Sequence, residues 1–115
     1  MTSWSEPSIL YYGKRQIDNK FEAALDKEKP VPVISRFFGI VIYMYWKDHS
    51  PPHFHAKYGD DEIVVGIKTG DVSGNMSNRA IKMIQEWRKL HQEELLRDWE
   101  FAEQKKALFA VDPLE

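Results

Sequence analysis

The apolar positions of the chain change period partway along its length. From Val33 to Trp46 the run is β-branched and aromatic, with Ile40, Ile42, Met44 and Trp46 on one face by alternation and Val41, Tyr43 and Tyr45 on the other. Both faces are apolar, which predicts a central strand, and Gly39 after "RFF" predicts a bend or bulge at its start. "KDHSPP" reads as a turn. In "HFHAKY" the residues Phe54, Ala56 and Tyr58 point one way and His53, His55 and Lys57 the other. "YGDDE" is a second turn, "EIVVGIK" a third strand, and "KTGD" a hairpin turn whose Gly supplies positive φ before a short "VSG". Strands and turns at this spacing predict an antiparallel meander.

After Ser77, a predicted N-cap, the period becomes 3.6. Ala80, Met83, Ile84, Trp87 and Leu90 form one stripe, and Leu95, Trp99 and Ala102 a second. No Gly or Pro marks a break near His91, yet one rod of roughly 40 Å could not keep its whole apolar stripe on a small sheet. Two helices are therefore expected, with His91 near a helix end as a dipole partner. The Lys/Arg/Glu pattern of 86–106 reads as their solvated side. "LFAV" at 108–111 reads as a closing strand or a docked tail. The expected fold is α+β: a small antiparallel sheet of three to four strands, packed on one face by two C-terminal helices, with an N-terminal appendage.

That appendage is residues 1–30. It has little periodicity beyond a short helical pattern at 18–29, and "KPVP" at 29–32 forces an extended boundary before a main domain at 31–115. Trp4, Ile9, Leu10, Tyr11, Tyr12 and Phe21 cannot bury much against one another, so they are expected to pack on the main domain or on a partner.

Composition narrows the class. At 115 residues and 43% hydrophobic, the chain suits one domain with a real core. The absence of cysteine excludes disulfides, thiolate metal sites and thiol nucleophiles. A net charge of −2 argues against a long duplex-binding surface. With no apolar run of about 18 residues and no signal-like segment, the expectation is a cytoplasmic protein without a membrane partner. No cofactor is read from the chain.

Several stretches together resemble a bacterial family known as domain of unknown function 4160. They are "ISRFFGIVIYMY" at 34–45, "DHSPPHFHAKY" at 48–58, "IKTGDVSGNMS" at 67–77, and "EWRKLHQEELLRDWE" at 86–100, covering nearly all of 32–104. The proline-flanked H-F-H is the distinctive part. The resemblance implies a genomic setting beside a small DNA-binding protein, which looks like a toxin–antitoxin module. It implies no catalytic residue.

Three readings of the histidine strand follow. In the first, His53 and His55 ligate a metal, with Asp48, His49 or Asp60 completing the shell; two imidazoles and a carboxylate suit an open zinc or non-haem iron site. In the second, His53, His55 and Lys57 are catalytic, performing acid–base chemistry on RNA with Arg36, Tyr43 or Tyr45 reachable from the next strand. In the third, the residues are the ordinary polar face of an amphipathic strand. All three place His53 and His55 on one solvent-reachable face with Phe54 buried opposite. At the level of function the choice lies between a small ribonuclease-like toxin and a binding or regulatory module. The partners expected are an antitoxin-like or other protein, RNA, or a second copy of the chain.

Overall fold

Val33–Phe37 (β1) and Ile40–Tyr43 (β2) are separated only by Phe38 and Gly39. The computed structural model, which describes residues 31–115, holds both at positive φ, 47° and 82°. Consecutive left-handed residues are the type I′ geometry that joins antiparallel strands. The bend expected at Gly39 is thus a complete hairpin, and one predicted strand is two. The appendage expected at 1–30 lies outside the described residues.

His53–Tyr58 (β3), Asp61–Gly66 (β4) and Val72–Gly74 (β5) continue an antiparallel meander in the order β1-β2-β3-β4-β5. The sheet therefore has five strands where three to four were expected. One extra strand comes from the hairpin within 33–46. The other is "VSG", whose residues are all exposed and carry no apolar alternation; it is a strand because Val64 pairs with Ser73 and Val65 with Val72.

One face of the sheet carries the main core. Ile40, Ile42, Met44, Phe54, Ala56, Ile63 and Val65 lie there, against Ala80, Ile84, Trp87, Leu95, Trp99 and Ala102 from the helices. Val31, Val33 and Tyr43 form a smaller buried cluster with Val41 and Tyr45. These are the two apolar faces that the sequence assigned to the strand.

Helices α1 (Asn78–Leu90) and α2 (Gln92–Glu103) meet at His91. The Ser77 hydroxyl accepts a hydrogen bond from Ala80 N–H at 3.1 Å, as an N-cap should. His91 leaves helical geometry at φ −120°, and its N–H donates to the carbonyls of Trp87 and Arg88. The expected break is thus present, without Gly or Pro. Leu90 departs from the predicted stripe: it is 65% exposed, because the chain turns away after it and Leu95 takes over the core face.

Arg88 also departs from expectation. Read as part of a solvated side, it is buried, and its guanidinium donates to the Ile67 carbonyl (2.9 Å) and to Gln85 Oε1 (2.8 Å). Gln85 and Gln92 donate in turn to the Gly70 and Ile67 carbonyls. Three helix side chains thereby hold the turn between β4 and β5, supplying backbone acceptors with partners they would otherwise find in water.

Residues 108–111 are a docked tail. Leu108 and Val111 are buried, and Val111 N–H donates to the Ile34 carbonyl at 2.8 Å. Phe109 N–H donates to Asp98 Oδ1 at 2.9 Å, and the Trp87 indole N–H to the Asp112 carbonyl at 2.8 Å. Asp98 is itself buried, and its Oδ2 has no hydrogen-bond partner among the described residues. Burial pushes its carboxyl up to about 7, more strongly than the Phe109 N–H and Arg97 pull it down.

Two outcomes follow for stability. Trp87 is fully buried and packs on Phe37 and Phe54, so Trp87→Ala should cost about 3–5 kcal/mol in chemical denaturation; a loss below about 1 kcal/mol would remove it from the core. For Asp98 the folded value lies above the ordinary 3.8, so its contribution is full below pH 3.8 and is lost as pH rises through about 7. Between pH 5 and 8.5, Asp98→Asn should spare the protein on the order of 2–3 kcal/mol of that loss, measured as the difference between the two stability–pH curves. Parallel curves would show that Asp98 ionises without cost.

Candidate metal centre

β3 begins directly after the turn 47–52, and that turn is anchored at both ends. Lys47 N–H donates to the Ala102 carbonyl at the end of α2 (3.1 Å), and the Pro52 carbonyl accepts from Ile67 N–H (3.0 Å). The anchoring brings Asp48 back over the first residues of β3. Asp48 Oδ2 lies 2.9 Å from His53 Nε2 and 3.2 Å from His55 Nε2. Asp48, His53 and His55 are the one group among the described residues that could hold a metal ion, with ligand atoms all within 4.8 Å of one another.

The remaining polar atoms of two of these side chains are committed elsewhere. His53 Nδ1 lies 2.8 Å from the Pro51 carbonyl, which can only accept, so this nitrogen carries the proton. In neutral His53 the Nε2 lone pair then faces a carboxylate oxygen at 2.9 Å, an arrangement that needs a positive charge between them, either a proton or a metal ion. Asp48 Oδ1 is occupied by His49, whose backbone N–H donates to it and whose Nδ1 lies 2.9 Å away. Oδ2 is left to the two imidazoles. This is how outer partners orient the ligands of metal sites.

His55 is enclosed by aromatic rings. Tyr43, its cross-strand partner, stacks on it at 5.2 Å and 18°, and Tyr45 meets it edge-on at 4.7 Å. The Tyr43 hydroxyl donates to Glu62 on β4. Burial, followed by the Glu62 hydrogen bond and charge, pushes the Tyr43 hydroxyl far above its usual range, so it remains a donor. Burial lowers His55, outweighing the pull of Asp48. At Asp48 burial acts upward, but the hydrogen bonds from His55, the His49 N–H and His53 prevail, and its carboxyl ends below the usual range.

Set against the sequence, the site is partly as expected. Phe54 is fully buried on the helix side, and the rings of His53 and His55 stand 5.3 Å apart. His53 is not solvent-reachable to the degree expected, since its ring lies against Trp99 of α2 and it is 7% exposed. Lys57 stands one row further along the sheet, opposite Val41 and Glu62 in register, and Arg36 pairs with Val41 in the same row. Asp60 lies in the hairpin at the far end of β3, away from His53. Of the third ligands considered, the structure brings Asp48 within hydrogen-bond distance of both imidazoles, with the His49 ring 5.5 Å from that of His53. Sequence reasoning did not assign Trp99 or Glu62 to this site; only register and helix packing bring them there.

Fold and site together define a small α+β protein with an open five-stranded meander and a two-histidine, one-carboxylate cluster at one end of its central strand. The chain belongs to the family described as Domain of unknown function (DUF4160), which matches residues 39–100, a span that includes the whole cluster. Comparison with curated proteins and with solved structures finds no match. No helix among the described residues is long and apolar enough to cross a membrane.

The burial of the cluster changes what its substitutions should do. His53→Ala removes a ring packed on Trp99 together with its hydrogen bond to Pro51, and should cost about 1–3 kcal/mol, more than a surface change. Phe54→Ala should cost about 3–5 kcal/mol through its cavity. Urea denaturation of both variants checks this ordering; equal costs would mean that His53 is as deeply structural as Phe54.

Proposed function

We propose that the protein is a divalent-metal protein whose centre is Asp48, His53 and His55. The observation that carries this reading is the convergence of two imidazole Nε2 atoms on one carboxylate oxygen, with His53 Nδ1 already committed to a backbone carbonyl. Donors held on one ion at about 2.0–2.2 Å stand roughly 2.9–3.5 Å apart, depending on the coordination angle. The two carboxylate–imidazole separations, 2.9 and 3.2 Å, fall in that interval. Imidazole with a single carboxylate suits Zn(II) or Fe(II) better than Mg(II) or Ca(II), which take oxygen donors.

Metal-free cleavage of RNA by His53, His55 and Lys57 is less well served. It needs one imidazole free to take a proton, another to deliver one, and a cation beside them. Both Nε2 atoms face Asp48, and Lys57 sits a row away. Purely structural histidines would explain the burial of His53 and a proton shared with Asp48; the metal reading accounts in addition for both imidazoles meeting the same carboxylate oxygen.

The full-length protein, stripped with chelator and titrated with Zn(II), should bind one equivalent and gain about 2.7 kcal/mol of stability at a hundredfold excess over Kd. Asp48→Asn, His53→Ala and His55→Ala should each weaken binding at least about tenfold. Absence of stoichiometric binding and of any thermal shift with Zn(II) or Fe(II) would overturn the proposal.

A further inference from the structure

The metal reading leaves a question about the kind of centre. A structural zinc site is closed by four protein ligands, whereas a site that acts on an outside molecule keeps a position free. Among the described residues the metal-capable group ends at three. The other imidazole of the turn, His49, is engaged with Asp48 Oδ1, and its side chain is 82% exposed. Glu62 is engaged with the Tyr43 hydroxyl. Neither is set to close the shell.

Charge narrows what would fill the free position. Two neutral imidazoles and one carboxylate leave a divalent ion with a residual single positive charge. The walls beside it are aromatic: Trp99 against His53, and Tyr43 and Tyr45 against His55. These rings displace water without supplying a countercharge, and the nearby Glu62 carboxylate, which also acts on His55, is exposed so that water screens it, leaving a net attraction for a negative ligand.

Resting on the metal reading, we infer that the Asp48–His53–His55 centre is open and takes a small oxygen-donor anion, of the carboxylate or phosphate class, directly on the ion. The centre is then a place where an outside ligand is held, and it contributes more than a cross-link between the turn and β3.

Co(II) loaded into the full-length protein reports on this through its visible d–d bands. Titration with acetohydroxamate and with inorganic phosphate should shift the bands saturably. Bands unmoved by both probes would overturn the inference. Failure of the wild type to take up Co(II) at all is a separate result. It would remove the metal reading and this inference with it.

Discussion

The edge-to-face contact between Phe54 and Trp87, with ring centroids 5.7 Å apart at 86°, ties the site to the fold. It fastens α1 to the centre of the sheet, and Phe37 completes the aromatic group from β1. Because side chains alternate along a strand, seating Phe54 on the helix side sends His53 and His55 to the opposite side. The core contact therefore dictates which face carries the two imidazoles. A slip of one residue in β3 would bury both imidazoles under α1 and expose Phe54.

Alternation alone would leave two histidines on a sheet surface. The cluster also needs Asp48, which belongs to no strand. The backbone bond from Lys47 to the end of α2 and the bond from Ile67 to Pro52 fix the turn that carries it. Trp99, also from α2, closes over His53. The same helix thus helps hold the carboxylate and shields an imidazole. Shielding strengthens the electrostatic attraction among the three groups and makes an unpaired member costly. Every atom of the cluster accounted for by hydrogen bonding is oriented toward Asp48 Oδ2 or held away from it.

Besides Ser35 within β1, two buried polar side chains lie where the chain is held without regular structure. Arg88 meets neutral acceptors in the β4–β5 turn, and Asp98 receives the tail through Phe109 N–H. Arg88 has backbone and amide partners that stabilise its charge. Asp98 has one oxygen without a hydrogen-bond partner among the described residues, and burial raises its carboxyl above the ordinary value. The first clamps a turn, and the second receives the tail.

Much of this was legible in the chain. Period-two and period-3.6 patterning located β3, β4, both helices and the Ser77 cap, because those elements bury one face and leave the other wet. The H-F-H spacing placed His53 and His55 together for the same reason. The pattern failed where local sequence carries no periodic signal. Phe38–Gly39 is a hairpin inside an unbroken apolar run, and β5 is an exposed strand made by its partner. Arg88 looks like any helix-surface arginine until the β4–β5 turn packs beneath it. The sequence by itself determined the faces of the strands and helices, since burial of apolar side chains imposes the backbone period. Tertiary structure decided the rest. The approach of Asp48 to both imidazoles, the place of Lys57 one row away and the burial of His53 under Trp99 depend on contacts that no local pattern encodes.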